Sequence, residues 1–184
     1  MNLLRFPKPY ADAAARLRAP AGFVLVALFA WLAAPTPASL AGGLPLAALG
    51  LALRAWAAGH ITKDRRLTAT GPYAYVRNPL YLGSLTAAAG FALASRSWLL
   101  AVLFAAFFVL LYLPAIQLEQ QHLRELFPDY DAYAARVPAL LPRLRPAEGP
   151  AARFCWRLYR YNREYQALLG YLAAAALLCW KAWR

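Results

Sequence analysis

Residues 71–83 read GPYAYVRNPLYLG and lie between two strongly apolar segments. Asn78 precedes Pro79. The residue before a proline is pushed out of the helical conformation, whereas proline itself suits the first position of a helix. Asparagine is also a strong N-cap. We therefore expect a helix to begin at Asn78-Pro79, and the apolar run that follows makes it a membrane helix.

The residues just before this helix form a candidate anion site. The positive end of the helix would lie beside Arg77, and the two together would attract a carboxylate or a phosphate. Tyr73, Tyr75 and Tyr81 surround this arginine in the sequence. The alternative is a membrane-entry loop in which the tyrosines belong to an aromatic belt and Arg77 snorkels towards water. The local sequence leaves both interpretations open.

The composition of the chain is that of a membrane protein. Of its 184 residues, 62% are hydrophobic, and the length fits a single domain over residues 1–184. The formal charge of +12 lies in loops between apolar runs. Basic loops of this kind set the orientation of a membrane protein and attract anionic lipids, which explains the charge better than binding to nucleic acid. The two cysteines and two histidines lack metal-ligand spacing, so we expect no metal site.

Five apolar runs predict an all-α integral membrane protein with about five transmembrane helices. The first covers about residues 21–34, and the sequence after it could pass for a signal-peptide cleavage site. We expect an uncleaved helix, because the basic region before it is long and more spans follow. The second run, residues 44–59, contains Arg54. We expect Arg54 to snorkel towards the side that holds His60, with a role in a site as the alternative.

The third and fourth runs form an antiparallel helical hairpin over residues 79–118, with a tight turn at Arg96. The third helix would be roughly 25 Å long and the fourth a turn or two longer. The chain therefore returns at Glu119 to the membrane face that it left at Arg77. Pro114 predicts a kink shortly before that point.

Residues 119–137 have an amphipathic helical pattern, broken at Pro128, and we expect them to form a cytosolic cap. After an irregular connection, residues 151–184 should form an interfacial basic helix and a final transmembrane helix at about residues 167–180. Three arginines share one face of the interfacial helix, where they would meet lipid phosphates: Arg153, Arg157 and Arg160.

The basic residues predict the orientation of the chain in the membrane. The N-terminus, the 60–78 loop and residues 119–163 hold sixteen of the twenty Lys and Arg residues, so these parts should be cytoplasmic. We expect a bacterial-type inner membrane protein with its N-terminus and active site in the cytoplasm. Five spans would leave Lys181 and Arg184 outside, where they fit poorly. Either the last helix does not fully cross, or the two charges are tolerated.

Two motifs, separated by the apolar hairpin, carry a family resemblance. They are GPYAYVRNPLYLG at residues 71–83 and LEQQHLRELFPDYDAYAARVP at residues 118–138. With them the chain resembles the small integral-membrane methyltransferases grouped with isoprenylcysteine carboxyl methyltransferase and phospholipid N-methyltransferase. The resemblance covers residues 44–142, the expected methyltransferase core. Asn78 stands where the family has histidine, and Gln120 stands where it has a second glutamate.

The resemblance implies S-adenosyl-L-methionine as methyl donor, held between the hairpin and the cytosolic segment. It implies Arg77 and Glu119 as the catalytic residues, with Arg77 binding the donor carboxylate and Glu119 its ammonium or ribose. The tyrosines could stack on adenine or face the sulfonium. His122 has an alternative interpretation as a solvated helix residue. The expected donor-binding residues are Tyr73, Tyr75, Val76, Arg77, Asn78, Pro79, Tyr81, Glu119, Gln120 and His122.

Catalysis would consist mostly of positioning, with a lipophilic methyl acceptor that enters from the bilayer. A prenylcysteine-type carboxylate, a phospholipid amine and a thiol all remain open. The sequence shows no buried acid-histidine pair to serve as base, which favours an acceptor that is already ionised or easily deprotonated. No protein partner is implied. The alternatives are an NADPH-dependent membrane reductase, since sterol reductases have a similar fold, and a catalytically silent membrane protein.

Overall fold

A computed structural model describes residues 6–147 and 152–184, and this part of the chain contains helices and no β-strand. The predicted all-α fold is therefore confirmed. Three of the helices, α1, α2 and α4, are long and apolar enough to cross a membrane, and α3 is a shorter apolar helix. The predicted number of five spans stays a prediction. The helices are α1 (Lys8–Leu32), α2 (Pro37–Ala58), α3 (Pro79–Ser95), α4 (Trp98–Leu126), α5 (Tyr130–Arg136), α6 (Trp156–Tyr161) and α7 (Tyr165–Ala182).

The first two helices begin earlier than predicted. The alanine-rich stretch before Pro20 continues α1 back to Lys8, as expected from the high helix propensity of alanine. The segment that resembled a cleavage site is the start of α2. There the Thr36 hydroxyl accepts a hydrogen bond from the Ser39 amide at 3.3 Å, and the Ser39 hydroxyl accepts one from the Thr36 amide at 2.9 Å. This capping box leaves only a short loop between α1 and α2.

Helices α2 and α3 approach so closely that their backbones touch. A Cβ atom on Gly50 would lie 2.5 Å from the carbonyl oxygen of Gly83, and one on Gly43 would lie 2.6 Å from that of Gly90. Small residues at a helix interface permit this approach, which is a common way to pair helices in a membrane. The pairing fixes the rotation of both helices, and it sets Arg54 of α2 beside the first turns of α3.

The predicted hairpin of α3 and α4 is confirmed. Its turn places Arg96 in the left-handed region at φ 52°, and the Ser97 hydroxyl accepts a hydrogen bond from the Leu100 amide. Within α4, residues Phe108–Tyr112 form a wider π-helical turn just before Pro114. Proline has no amide hydrogen to donate to the carbonyl of Leu110. The Tyr10 hydroxyl of α1 donates to that carbonyl instead, at 2.8 Å.

The helices after the hairpin follow the predicted order, with one difference. The predicted break at Pro128-Asp129 is confirmed, because α4 ends at Leu126 and α5 begins at Tyr130. The interfacial helix is shorter than predicted: α6 has six residues, and Arg153 precedes it. The predicted start of that helix, at residue 151, lies outside the described residues.

The last helix, α7, runs from the Arg54 end of the bundle to the far end of α1. The Tyr171 hydroxyl donates to the carbonyl of Leu44 at 3.1 Å, and the Lys181 ammonium donates to that of Ala30 at 2.8 Å. Carbonyls at the end of a helix lack partners within it, so Lys181 satisfies one of them and complements the helix dipole. Lys181, whose charge fitted poorly with a position outside the membrane, therefore helps to hold α7 against α1.

The close approach of α2 and α3 leads to a prediction for two neighbouring glycines. Gly43→Ala is expected to destabilise the protein by about 1–3 kcal/mol, because the new methyl group would collide with the backbone of α3. Gly42→Ala is the matched control, since its methyl group would meet only a Leu93 side chain at 3.6 Å. Thermal unfolding in one detergent measures both. Equal melting temperatures for the two variants would contradict the packing.

Candidate active site

A loop between α2 and α3 carries five of the ten predicted site residues. Gly71 has φ +59°, and a Cβ atom there would lie 2.5 Å from the ring of buried His60. The loop is tied to the chain beyond α5, since the Arg77 amide donates to the carbonyl of Pro138 at 2.8 Å. Asn78 precedes α3 as predicted, but its side chain does not cap the helix. Its amide nitrogen donates to the carbonyl of Ala139 at 2.9 Å.

Two adjoining cavities open beside this loop. The inner cavity has a volume of about 330 Å³ and the outer cavity about 300 Å³, each within the size range of small-molecule sites. The loop that follows α2 covers the outer cavity, whereas the inner cavity reaches Arg54. Of the predicted residues, Tyr73, Arg77, Asn78, Tyr81 and Glu119 line both cavities.

Glu119 lies where the hairpin geometry placed it, opposite the start of α3. The Tyr81 hydroxyl donates to Glu119 Oε2 at 2.8 Å, and the Arg18 guanidinium lies 3.5 Å from that hydroxyl. The Tyr112 ring packs edge-on against Tyr81, with 5.5 Å between centroids. Arg18 of α1 and Tyr112 of α4 therefore belong to the site, although neither stands in a motif that sequence reasoning singled out.

Arg77 and its neighbours present buried polar atoms that lack partners within the described chain. Arg77 Nη1 donates to the Tyr130 hydroxyl at 3.3 Å, but its Nε has no hydrogen-bond partner. The Tyr73 hydroxyl and the Thr68 hydroxyl are also buried and unpaired, and all three residues line the outer cavity. Buried polar groups are nearly always paired, so a cluster of unpaired ones around a cavity indicates a polar ligand.

The hydroxyl of Tyr73 remains protonated. Burial, together with the nearby charge of Glu119, raises the pKa of Tyr73 well above its ordinary value. The same desolvation raises the pKa of Tyr133, whose hydroxyl donates to the carbonyl of Tyr73 at 2.8 Å. Tyr73 therefore keeps its proton and is not available as a base.

Four predicted residues lie elsewhere or at the margin. Tyr75 packs against the Trp56 ring, Val76 is buried, and Gln120 has a buried amide nitrogen without a partner; none of them lines either cavity. His122 lines only the outer cavity, where it contacts Asp64 at 3.3 Å while remaining more than half exposed. The structure thus brings together Tyr73, Arg77, Asn78, Pro79, Tyr81 and Glu119 around the inner cavity.

Arg54 does not snorkel, contrary to expectation. Its Nε and Nη2 contact the two oxygens of Glu164 at 2.6 and 3.0 Å, and its Nη1 binds the Ser84 hydroxyl. Glu164 is only 6% exposed and lines the inner cavity. A signal for this pair was present, because Glu164 is the only acidic residue between 152 and 184 and Arg54 is an isolated charge in an apolar run. An intramembrane charge requires a partner.

A third cavity, which is apolar, adjoins the inner one. It has a volume of about 370 Å³ and shares Arg54 and Ser84 with the inner cavity. Its other walls come from helices α1 to α4 and from α7, through residues such as Phe29, Phe91 and Tyr171. The polar and apolar spaces therefore meet at Arg54 and Ser84.

The unpaired hydroxyl of Tyr73 leads to a stability prediction. Tyr73→Phe is expected to leave the melting temperature unchanged or raised, because it removes a buried hydroxyl that has no partner. Tyr133→Phe is the matched comparison and should lose about 1 kcal/mol, since its hydroxyl bonds the carbonyl of Tyr73. Thermal unfolding measures both variants. A larger loss for Tyr73→Phe than for Tyr133→Phe would contradict this assignment.

Two curated proteins are similar to part of this chain. The chain is 38% identical over 104 residues to the nickel-cobalt-cadmium resistance protein NccN of Alcaligenes xylosoxydans xylosoxydans, a match covering 55% of this chain and 47% of that protein. It is 36% identical, over an equal length, to the cobalt-zinc-cadmium resistance protein CzcN of Cupriavidus metallidurans. The matched region thus spans about half the length of these relatives. No solved structure matches the chain.

The region that matches a known family includes the loop before α3, the hairpin of α3 and α4, and Glu119. Residues 46–130 match the phospholipid methyltransferase family, and they include Arg54, Arg77 and Glu119 but not Glu164. The predicted resemblance to the integral-membrane methyltransferases is therefore confirmed for residues 46–130, which are similar to the phospholipid methyltransferase family.

Proposed function

We propose that this protein transfers a methyl group from S-adenosyl-L-methionine to a lipophilic acceptor at the cytosolic membrane interface. The observation that carries the proposal is the set of unpaired buried polar atoms on Tyr73, Arg77 and Thr68, which line the outer cavity, together with an apolar cavity that adjoins the inner one. The family match of residues 46–130 supports the reaction class. The basic residues in the loops around the site predict that it faces the cytosol.

The residues around these cavities fit the polar groups of the donor. Arg77, with an unpaired Nε, suits the carboxylate, and it lies beside the start of α3. Glu119 suits the ammonium or the ribose hydroxyls, and its carboxylate is already oriented by the Tyr81 hydroxyl. The protonated hydroxyl of Tyr73 offers one further donor. When bound, S-adenosyl-L-methionine supplies an activated methyl group on a sulfonium sulfur.

The protein's part in the reaction is positioning and exclusion of water. Arg77, Glu119 and Tyr73, which line both polar cavities, would hold the donor there. A bond forms between the acceptor's lone pair and the methyl carbon, while the sulfur keeps the electron pair of the bond that breaks. An acceptor nitrogen or sulfur that carried a proton releases it to water.

The acceptor enters from the bilayer side. The apolar cavity between the membrane helices suits a hydrocarbon chain, and its shared wall at Arg54 and Ser84 would bring the reactive group of that chain to the donor. A prenylcysteine-type carboxylate, a phospholipid amine and a thiol are the classes that this arrangement admits.

The first test is calorimetric titration of the detergent-purified protein with S-adenosylmethionine, S-adenosylhomocysteine and NADPH. We expect micromolar-range binding of the first two and none of NADPH. Binding of NADPH alone would favour a membrane reductase, for which Lys63, Arg65 and Arg66 could hold a phosphate. Silence from all three ligands would favour a protein without catalytic activity.

The second test uses variants in the same titration. Arg77→Ala and Glu119→Ala are expected to weaken donor binding at least about tenfold, because each removes a charge-assisted hydrogen bond. His122→Ala is the control and should change affinity less than about twofold, since the histidine is largely exposed at the margin of the outer cavity. Equal affinities for the three variants would contradict the assignment of the donor pocket.

A further inference from the structure

An apolar groove runs along the hairpin of α3 and α4 and ends at the turn that joins them. It has a volume of about 1030 Å³, and residues of both helices line it, among them Leu85, Ala89, Ala92, Trp98, Ala101 and Phe104. Thr36 and Ser39, at the start of α2, complete its end beside the turn. We call this space the hairpin groove. It shares Ala88 and Phe104 with the apolar cavity, and it shares no residue with the inner or outer cavity.

The length of the hairpin groove matches the depth of one leaflet of a bilayer. Along α3 the groove extends from Arg96 at the turn to Leu85, which is roughly 16 Å at ~1.5 Å per residue. The hydrocarbon core of a bilayer is about 30 Å thick, so one leaflet provides about 15 Å. Ala89, Ala92 and Ala101 carry only methyl groups, which leaves room along the groove for an extended hydrocarbon chain.

Arg96 is a cation without a protein partner at the end of the hairpin groove. Its side chain is exposed and makes no hydrogen bond or ion pair with any residue that the structure describes. The cations at the nearby end of α7 are engaged: Lys181 donates to the carbonyl of Ala30, and the Arg184 guanidinium lies 4.5 Å from the centre of the Trp180 ring. Within the described chain, the guanidinium of Arg96 therefore keeps its N–H donors available for a ligand.

The helices around this turn contain no carboxylate that could neutralise Arg96. Residues 13–63, 65–118 and 165–184 include no aspartate or glutamate. The counter-anion of Arg96 must therefore come from outside these helices. A guanidinium binds a phosphate through two parallel hydrogen bonds, and phosphate is the anion that lipid head groups provide. The exposed ring of Trp98 on the same rim is also typical of the membrane–water interface.

We propose that the hairpin groove binds one anionic phospholipid, with its phosphate at Arg96 and an acyl chain along α3 and α4. Arg96 and Asn78 lie at opposite ends of α3, roughly 25 Å apart by the length of the helix. A lipid whose head group lies at Arg96 therefore does not present that head group to the candidate active site. This lipid is a ligand of the helical bundle in the opposite leaflet, and its binding does not depend on methyl transfer.

The test measures lipid binding to the full chain by native mass spectrometry, with dioleoyl phosphatidylglycerol and dioleoyl phosphatidylcholine as probes of equal chain length. We expect the parent chain to bind the anionic lipid about fivefold more tightly than the zwitterionic one. Arg96→Asn should reduce this preference to less than about twofold, and asparagine tolerates the left-handed backbone at this position. Arg96→Lys should retain part of it. Arg184→Asn removes the same charge outside the groove, and as the matched control it should leave the preference unchanged.

A second pair of variants tests whether the acyl chain lies in the groove. Ala89→Leu adds a side chain to its exposed lining and should weaken binding of both lipids at least about fivefold. Ala173→Leu is the matched control, because Ala173 is exposed on α7 and does not line the groove. Thermal unfolding verifies that each variant is folded.

Three results would overturn the proposal. The first is equal binding of the two lipids by the parent chain, and the second is an unchanged preference in Arg96→Asn. The third is a loss of binding in Arg96→Asn without a loss in Ala89→Leu, because Arg96 would then bind phosphate without a chain in the groove.

Discussion

The backbone contact between α2 and α3 is the constraint on which the rest of the structure depends. Lipid offers no hydrophobic gain for pairing two apolar helices, so their association relies on close packing. Gly43 and Gly50 on one helix and Gly83 and Gly90 on the other permit that packing. Because each helix has only one rotation in which these glycines meet, the pairing also directs Arg54 towards the start of α3. The site thus inherits its geometry from a contact between glycine backbones outside the cavities.

The polar groups of the site serve the bundle as well as the ligand. Arg54 would be costly in a membrane without a partner, and Glu164 supplies one from the other end of the chain. Tyr10 and Lys181 act in the same way, since each satisfies a backbone carbonyl of a neighbouring membrane helix. By contrast, Arg77, Tyr73 and Thr68 keep buried atoms unpaired around the cavities. Three of the residues that keep an unpaired buried atom therefore line the cavity proposed for the donor.

The features that the sequence predicted correctly depend on the backbone preferences of single residues or on the lengths of helices. The start of α3 at Pro79, the turn at Arg96 and the break at Pro128 follow from backbone preferences of single residues. The return of Glu119 to the site followed from the rise per residue of two helices. The partner of Arg54, the destination of the Asn78 side chain and the contribution of Arg18 depend on how distant helices are rotated and packed. No local pattern encodes those choices.

The π-helical turn at Phe108–Tyr112 changes how the sequence of α4 aligns with the corresponding helix of a related chain. A π-helical turn accommodates one additional residue, so the residues after it are out of phase with those before it by about 100°. The lipid-facing half of α4 and the half that carries Glu119 therefore follow two separate helical registers. A related chain with an unbroken α-helix would need one residue fewer between the hairpin turn and its glutamate. An alignment without that gap would pair Glu119 with the wrong position.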